Sequence, residues 1–337
     1  MSSAGGSGPR RSAGPRIALV KTSSMGDVIH GLPVVTDILR ATPQATIHWV
    51  VEEAFADLPA LHPGVSQIHK IALRRWRKQW RSAGVRAEIR AARARLHALE
   101  LDWVIDLQGL IKSAWVSRWL PGTRVGFSWR CAREPLATLA YDQRYDVDMS
   151  RHAIERLREL AAKALGHAAA GLPVFGLSAA PPTAVLHAVL GADPRPYRVF
   201  LHATSRTEKQ WPTGHWVAML RAAAQEGLRV FLPHGSDAEQ AAAGALVQAA
   251  GSGEVLPRLS LADCAALLAG ARGVIGVDTG LTHLAAALDR PTVALFAATP
   301  AWRFGPYWSE RTRGLGEDGL WPEPGQVAAT LAALEAT

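Results

Sequence analysis

A short polar loop near the start of the chain combines residue types that could bind an anion and move a proton. The loop reads Lys21-Thr-Ser-Ser-Met-Gly-Asp27 and separates an apolar run from a stretch with helical spacing. Backbone N–H groups at the start of a helix attract anions, so Lys21, Ser23 and Ser24 are candidate ligands for a phosphate or carboxylate. Asp27 is a candidate general base. The alternative, favoured by composition alone, is that Asp27 is only the N-cap residue of its helix.

Two segments in the second half of the chain have similar potential. A long polar loop, His202 to Pro212, follows an apolar run and carries donors suited to phosphate oxygens, namely Thr204, Ser205, Arg206 and Lys209. Further along, a strand-like run meets a helix-like run at a glycine, where a ligand can approach backbone N–H groups, in the triplet Asp278, Thr279 and Gly280. His283 lies four residues after Thr279, on the same helix face. A solvated loop and a partly buried histidine are the alternatives.

These loops need a scaffold that positions them, and the hydrophobic patterning predicts one. Short apolar runs alternate with segments of helical spacing in both halves of the chain, which is typical of parallel sheets. The predicted strands are 17–20, 46–51, 103–107, 198–201, 228–232, 273–277 and 292–296. We therefore expect an α/β protein with two Rossmann-like domains facing across a cleft, and ligands at the carboxyl ends of the strands. Pro33 is expected in the first turn of its helix or at a kink.

The positive charge of the chain is concentrated in its first half. The 337 residues carry 37 Lys and Arg against 29 Asp and Glu, a formal charge of +8. Residues 1–170 hold 25 basic and 15 acidic side chains, whereas residues 171–337 hold 12 and 14. From Arg74 to Arg95, nine basic residues stand against Glu88 alone. The length predicts two domains, and the basic half predicts an anionic partner.

Within the basic segment, Arg74-Arg-Trp-Arg-Lys-Gln-Trp-Arg81 interleaves cations with aromatic residues. This pattern suits phosphate binding, base stacking or a lipid headgroup surface. The alternative is a solvated helix with Trp76 and Trp80 packed inward. A nucleic-acid-binding protein is the competing functional class, although no RNP, zinc-finger or recognisable helix-turn-helix motif occurs.

Several other classes of protein are disfavoured. The sequence has no GxGxxG and no GxxxxGK[ST] motif, which disfavours a dinucleotide-binding fold and a phosphate-binding loop of that type. The two cysteines, Cys131 and Cys264, lie far apart and the histidines lack metal-ligand spacing, so we expect neither a disulfide nor a metal site. No apolar run approaches the ~18 residues that a membrane span requires.

Seven segments together resemble the lipopolysaccharide heptosyltransferases of glycosyltransferase family 9. They are VKTSSMGDV at 20–28, ALRRWRK at 72–78, DLQGLIKS at 106–113, AREP at 132–135, HAT at 202–204, KQWP at 209–212 and VDTGLTHLAAALDRP at 277–291. The first two are similar to the members that add the first heptose of the inner core. The resemblance extends from about residue 16 to the end of the chain.

The resemblance implies a GT-B fold and an inverting, metal-independent transfer without a cofactor. It implies ADP-L-glycero-D-manno-heptose as donor and the Kdo of Kdo2-lipid A as acceptor, and a monomer with no nucleic-acid partner. The enzyme would be cytoplasmic, bound peripherally to the anionic surface of the inner membrane of a Gram-negative bacterium. We expect a mobile extension at 1–15, an acceptor-binding domain at 16–170, a linker at 171–197, a nucleotide-sugar-binding domain at 198–322 and a terminal helix at 323–337.

The resemblance also implies roles for individual residues. Asp27 takes the proton of the attacking Kdo hydroxyl, and Lys209 meets the charge of the leaving ADP. The implied donor-binding residues are Thr204, Ser205, Lys209, Glu239 at the ribose, Asp278, Thr279, Gly280 and His283. The implied acceptor-binding residues are Lys21, Ser23, Ser24, Arg74, Arg75, Arg77, Lys78 and Arg133.

Two features depart from the family pattern. The chain has a basic extension of 15 residues, and the region Tyr141 to Met149 is acidic where a more basic stretch is expected. Another GT-B nucleotide-sugar transferase or an epimerase remains an alternative, because a fold does not fix a function.

Overall fold

Two parallel six-stranded sheets organise the chain in the computed structural model, which describes residues 14–179, 181–193, 195–204, 206–317 and 319–337. The strand order is β3-β2-β1-β4-β5-β6 in the first sheet and β12-β11-β10-β7-β8-β9 in the second. All neighbouring strands in both sheets run parallel. The predicted α/β class is confirmed. The extension predicted at 1–15 lies almost wholly outside the described residues.

The first sheet is built from short strands connected by helices. Its strands are β1 Arg16–Val20, β2 Thr46–Glu52, β3 Val65–Ile71, β4 Trp103–Asp106, β5 Thr123–Phe127 and β6 Gln143–Tyr145. Its helices are α1 Met25–Ala41, α2 Asp57–Ala60, α3 Leu73–Lys78, α4 Ala83–His97, α5 Ile111–Ser117 and α6 Ala153–Leu165, with 3₁₀ helices at Glu53–Phe55 and Pro135–Ala140. The central strand β1 is almost fully buried because helices cover both faces of a parallel sheet.

The second sheet repeats this arrangement. Its strands are β7 Tyr197–Leu201, β8 Arg229–Leu232, β9 Glu254–Val255, β10 Gly273–Val277, β11 Thr292–Leu295 and β12 Thr312–Leu315. The helices of this half are α7 Ala184–Leu190, α8 Thr213–Gln225, α9 Asp237–Ala250, α10 Leu261–Gly270, α11 Gly280–Ala287, α12 Ala301–Phe304 and α13 Pro324–Ala336, with a 3₁₀ helix at Thr207–Lys209. The terminal helix α13 packs on α8 and on the second sheet.

The topology of both sheets explains where the polar loops lie. In each sheet the strand order reverses direction between two neighbouring strands, β1 and β4 in the first and β7 and β10 in the second. The loops that leave the carboxyl ends of such a pair diverge to opposite faces and leave a crevice, which is where open α/β sheets bind ligands. The candidate loops at 21–24, 202–212 and 278–279 follow three of these strands, and the loop at 107–110 follows the fourth.

The first turn of α1, from the first half of the chain, packs against the first turn of α11, from the second half. A Cβ atom on Gly26 would lie 3.1 Å from the ring of His283, and one on Gly280 would lie 2.4 Å from the side chain of Met25. The absence of side chains at these two glycines therefore permits the close approach of the helices. On its other side α1 packs against α6, where the buried Arg158 Nε donates to Asp37 Oδ2 at 2.7 Å.

The structure differs from several local predictions. Helix α1 begins at Met25, so Pro33 lies in its interior; of the two expected positions, the first turn and a kink, the first turn is wrong. The helix tolerates the missing N–H because most residues around Pro33 are buried, and packing offsets the lost hydrogen bond. Trp76 is buried but Trp80 is 58% exposed, because α3 ends at Lys78 and the helical spacing does not continue. The stretch predicted as a linker contains α7.

Candidate active site

Two cavities open between the facing edges of the sheets, and five residues line both. The first has a volume of about 780 Å³ and is lined mainly by the first half of the chain, and the second, of about 670 Å³, is lined mainly by the second half. The shared residues are Ser24, Asp27, His30, Arg133 and Phe304. Asp27 therefore lies where the contents of the two cavities meet.

Local hydrogen bonding holds Asp27 in place. It is the third residue of α1, and its Oδ2 atom accepts hydrogen bonds from the N–H of Ser24 at 3.0 Å and from the Ser24 hydroxyl at 2.8 Å. This is the carboxylate half of a capping box, so the helix start orients the side chain. Its Oδ1 atom lies 3.9 Å from Lys21 Nζ, and the side chain is 40% exposed.

The surroundings keep Asp27 ionised. Burial alone would raise the pKa of its carboxyl, but the charge of Lys21 and the hydrogen bonds from Ser24 outweigh that effect and lower the pKa. The buried Lys21 donates to the carbonyl of Leu107 at 2.9 Å. Burial lowers the pKa of Lys21, opposed by the charges of Asp27 and Asp106. Asp27 and the buried Lys21 therefore form a carboxylate and a cation that stabilises its charge, as a general base requires, and differ from an ion pair on the surface.

The first cavity is strongly basic. Six cationic side chains line it against only two carboxylates, those of Asp27 and Glu134, and the cations are Lys21, Lys112, Arg130, Arg133, Arg156 and Arg303. Lys112 Nζ donates to Ser23 Oγ at 2.6 Å, which links helix α5 to the loop after β1. A cavity with this excess of positive charge suits a ligand with several negative charges.

A buried network holds the two loops of this cavity together. The backbone N–H and the hydroxyl of Thr22 both donate to Gln108 Oε1 at 2.8 Å. The fully buried Asp106 accepts from Tyr141 at 2.7 Å and from Ser113 at 2.8 Å. Burial raises the pKa of Asp106 above its usual value, although these hydrogen bonds oppose the shift. The two bonds from Thr22 to Gln108 therefore join the loop after β1 to the loop after β4.

The second cavity is organised around Asp278. Its Oδ2 atom lies 2.5 Å from Lys209 Nζ and 2.6 Å from the hydroxyl of Thr299, and its Oδ1 atom lies 3.1 Å from His283 Nε2. Burial would raise the pKa of Asp278, but its bonds to His283, Lys209 and Thr299 hold the pKa well below the usual range. The carboxylate thus orients the one lysine of this cavity lining.

Two helix starts contribute to the same cavity. Helix α11 begins at Gly280 with Thr279 as its N-cap residue, and its first N–H groups carry a partial positive charge. Helix α9 begins after Ser236, whose hydroxyl caps the N–H of Glu239 at 3.3 Å. The Glu239 carboxylate accepts from the N–H of Gly235 at 2.7 Å. Lys209 and the first N–H groups of α11 can therefore bind an anion. The Glu239 carboxylate can accept hydrogen bonds from hydroxyl groups of a ligand.

Most of the residues singled out from the sequence converge on these cavities. The described donor-side candidates line the second cavity, namely Thr204, Lys209, Glu239, Asp278, Thr279, Gly280 and His283, together with Arg206. Ser205 lies outside the described residues. Of the acceptor-side candidates, Lys21, Ser23, Ser24 and Arg133 line the first cavity.

The basic segment after β3 does not join them. Arg75 is held by Glu53 and Glu88 at 3.0 and 2.8 Å. Arg74, Arg77 and Lys78 are exposed on α3 and, in the described structure, lie outside both cavity linings. The reason is geometric, because α3 follows an outer strand, whereas the cavities open at the centre of the sheet.

Sequence reasoning missed several residues of the site. Gln108 and Lys112 come from the loop and helix after β4, and Arg156 comes from α6. The sequence signals for the first two were their position just after a predicted strand and their place in the segment DLQGLIKS, which contributes to the family resemblance. His30, which is buried between the two cavities, follows Asp27 by three residues and therefore lies on the same face of α1.

The described part of the chain has neither a cluster of metal ligands nor a membrane-spanning helix. No group of three or more His, Cys, Asp or Glu side chains in it could hold a metal ion. Among its helices, none is both long and apolar enough to cross a membrane. Cys131 and Cys264 are both buried and free.

Comparison with known proteins gave consistent matches. The family model of glycosyltransferase family 9 (heptosyltransferase) matches residues 89–331. The lipopolysaccharide heptosyltransferase 1 of Escherichia coli K12 is 44% identical over 300 residues, covering 87% of this chain and 91% of the relative.

Solved structures agree over almost the whole chain. The structure of E. coli heptosyltransferase WaaC with ADP has a TM-score of 0.85 at 40% identity, covering 95% of this chain and 99% of that one. The structure of the same protein with ADP-2-deoxy-2-fluoro heptose has a TM-score of 0.81 at 40% identity, covering 94% and 99%. The expected GT-B fold, with two parallel β-sheets that are each flanked by helices, is confirmed.

Proposed function

This chain belongs to glycosyltransferase family 9, the heptosyltransferases, and we propose that it transfers L-glycero-D-manno-heptose from ADP-heptose to the Kdo of Kdo2-lipid A, with inversion at the anomeric carbon. The observation that carries this proposal is the position of Asp27. Its carboxylate lines both a basic cavity and the cavity that contains Lys209 and the start of α11. A base at this junction can reach an acceptor on one side and a donor on the other.

The second cavity suits the donor. Lys209 and the N–H groups at the start of α11 would contact the diphosphate, and Glu239 would accept hydrogen bonds from the ribose hydroxyls. The relative with the same fold has been solved with ADP and with a fluorinated ADP-heptose, which supports a nucleotide sugar of this class. Asp278 Oδ2 accepts from Lys209 Nζ at 2.5 Å and so orients the lysine.

The first cavity suits the acceptor. Kdo2-lipid A carries sugar carboxylates and phosphates, and six cations line this cavity. Lys21, Ser23, Ser24 and Arg133 would contact the Kdo carboxylates, and Lys112 and Arg156 add positive charge beside them. The exposed Arg74, Arg77 and Lys78, with the half-buried Arg75 beside them, would contact the more distant lipid A phosphates or the anionic headgroups around them.

A single displacement follows from these positions. The Kdo hydroxyl oxygen attacks the anomeric carbon from the face opposite ADP, and its proton passes to Asp27 as the new C–O bond forms. The bond between the anomeric carbon and the phosphate oxygen breaks at the same time. The leaving ADP takes the electron pair, and Lys209 and the N–H groups of α11 stabilise its charge.

We further propose that the reaction needs no metal or cofactor. Lys209 and the start of α11 would supply the positive charge that a divalent cation supplies elsewhere. The enzyme would act as a monomer at the cytoplasmic face of the inner membrane, held peripherally by its basic first half. It would have no nucleic-acid partner.

A donor panel tests the proposal. ADP-heptose, ADP-mannose, UDP-sugars and GDP-sugars are each offered with Kdo2-lipid A, with and without EDTA, and nucleoside diphosphate release is measured. We expect release only from ADP-heptose, only with acceptor, and unchanged by EDTA. NMR of the product should show the anomeric configuration inverted. Faster turnover of another nucleotide sugar, or release without acceptor, would support a different GT-B transferase or an epimerase.

A further inference from the structure

Four large apolar side chains form an exposed surface beside the first cavity. Ile111 and Trp115 lie four residues apart on one face of α5, with 51% and 49% of their surface exposed. Leu136 and Leu139 lie three residues apart in the 3₁₀ helix Pro135–Ala140, where residues at that spacing share a face, and are 58% and 67% exposed. We call these four residues the apolar ridge.

The two segments that carry the apolar ridge pack against each other. Their inner faces pack together around Ala114, Ala137 and Tyr141, which make a small core cluster of their own. The outer faces are left exposed by the described part of the chain. Four neighbouring exposed side chains of this size mark a binding surface more often than four scattered ones do.

The apolar ridge begins at the rim of the first cavity. The N–H of Ile111 donates to Glu134 Oε2 at 2.6 Å, and Glu134 lines the cavity together with Leu110 and Lys112. Glu134 also immediately precedes the 3₁₀ helix that carries Leu136 and Leu139. A ligand whose charged part occupies the cavity would therefore extend along the apolar ridge.

Basic residues flank this surface. Arg118 continues the exposed face of α5 beyond Trp115, and Lys112 is also exposed. A chain of aromatic contacts links the apolar ridge to α3, because the Trp115 and Trp119 rings lie 4.5 Å apart and those of Trp119 and Trp76 lie 6.3 Å apart. Helix α3 adds the exposed cations that lie outside both cavities, namely Arg74, Arg77 and Lys78.

We propose that the apolar ridge inserts into the headgroup region of an anionic bilayer while the flanking cations bind lipid phosphates, so that the first cavity opens directly onto the membrane surface. This inference rests on the proposed function only for the identity of the lipid acceptor. Apolar side chains surrounded by Lys and Arg are the combination that holds a protein in the plane of an anionic interface. The positive charge complements such a surface and would repel a second copy of the same chain. Four side chains are also too few for the ~800 Å² per partner of a stable dimer.

Vesicle co-sedimentation tests the proposal without measuring activity. The intact chain is mixed with vesicles of phosphatidylethanolamine and phosphatidylglycerol, or of phosphatidylcholine alone. The test variant is Trp115→Ser with Leu139→Ser, and the matched control is Trp302→Ser with Leu320→Ser, two residues of the second half that are 63% and 70% exposed. The thermal unfolding temperature should be unchanged in both variants, because the four replaced side chains are between 49% and 70% exposed.

We expect the intact chain to bind the anionic vesicles, with about tenfold weaker binding for the ridge variant, since it removes two partly inserted apolar side chains. The control should match the intact chain within about twofold. Equal binding by the ridge variant would overturn the proposal. A ridge-dependent dimer in analytical ultracentrifugation would also overturn it, since a second copy would then cover the surface.

A water-soluble, deacylated acceptor separates this proposal from the proposed function. Turnover of that acceptor should be the same for the intact chain and the ridge variant, whereas turnover of Kdo2-lipid A in vesicles should fall in the variant. A fall with both acceptors would place the apolar ridge in the catalytic machinery and contradict membrane docking. If the intact chain transfers no heptose but vesicle binding still depends on the ridge, only the proposed function fails.

Discussion

The imidazole Nε2 of His30 lies 3.3 Å from Nδ1 of His283, and this contact joins the helix that carries Asp27 to the helix that begins at Gly280. Both rings are almost fully buried. His283 also contacts Asp278, which holds Lys209, so a continuous chain of polar contacts connects the two cavities. Burial, together with the nearby His283, His152 and Lys21, lowers the pKa of His30 far below its usual value and keeps the ring neutral.

Replacing His30 should destabilise the chain more than replacing an exposed histidine. In His30→Leu, His283 Nδ1 keeps no partner although it is buried, and an unpaired buried polar group costs about 1–3 kcal/mol. Urea denaturation would measure the loss. The control is His97→Leu on the exposed face of α4, which should change stability by no more than about 0.5 kcal/mol. Equal stability of the two variants would show that the interdomain contact contributes nothing.

Replacing Asp27 should abolish most turnover without weakening donor binding. Asp27→Asn keeps an oxygen that can accept from Ser24, so α1 should fold, but an amide cannot take the proton of the acceptor hydroxyl. We expect kcat to fall by at least ~10²-fold, with the affinity for ADP unchanged. Steady-state kinetics and calorimetric ADP titration would measure both. Asp57→Asn, at an exposed position of α2, is the control, and near-normal turnover by Asp27→Asn would rule out the assigned base.

Removing the cation at Lys209 should impair both donor binding and the chemical step. Lys209→Met leaves Asp278 bonded to Thr299 and His283 but offers the leaving ADP no charged side chain from that loop position. Loss of a donor aimed at developing charge typically costs 10²–10³-fold in kcat, and about tenfold weaker ADP binding is expected from the lost ion contact. Lys163→Met, an exposed lysine of α6, serves as the control. A variant with intact kcat but weak ADP binding would restrict Lys209 to ground-state binding.

The stability of the chain should fall as the pH drops from about 6.5 to 4. Burial, with His69 and Arg16 nearby, lowers the pKa of His48 from 6.5 to about 4. In that range the unfolded chain binds a proton at this position that the folded chain does not bind, so protonation favours unfolding. The contribution of His48 to the free energy of unfolding is therefore complete above the unfolded pKa of 6.5. It is lost progressively as the pH falls from there to the folded pKa of about 4.

His48→Leu should flatten this pH dependence. Removing the titrating group should reduce the loss of unfolding free energy between neutral pH and pH 4 by about 3 kcal/mol, since a pKa held at about 4 instead of 6.5 corresponds to ~1.4 kcal/mol for each pH unit between those two values. Urea midpoints at several pH values provide the measurement, with His97→Leu again as the control. An unchanged slope in His48→Leu would mean that other groups dominate acid sensitivity.

Much of the site was readable from local sequence. The sequence predicts a strand-to-helix turn at Ser24 to Asp27 and a second one at Asp278 to Gly280. Both positions depend on short-range rules, namely strand alternation and the hydrogen bonding of a helix start, that act within a few residues. The alternative that Asp27 is only the N-cap residue of its helix is wrong, since Ser24 is the N-cap and Asp27, the third residue, completes the capping box with one oxygen and lines both cavities.

The cations of the site were less predictable. The sequence drew attention to Arg74 through Lys78 because they cluster along the chain, yet α3 follows the outer strand β3 and leaves them outside both cavities. Lys112 and Arg156 stand alone in the sequence, and only the folding of α5 and α6 around the same crevice brings them to the first cavity. The clustering of cations along the sequence therefore indicated a locally high charge but did not indicate which cations lie near the site.

By itself the sequence determined the α/β class, the two halves, the loops that bear the chemistry and the resemblance that names the family, because each depends on patterns within a few tens of residues. Only the tertiary structure decided that Asp27 borders both cavities, that His30 meets His283 across 253 positions, and that Ile111, Trp115, Leu136 and Leu139 remain exposed. The physical reason is that burial and charge pairing depend on how distant helices pack, and no local rule specifies that packing.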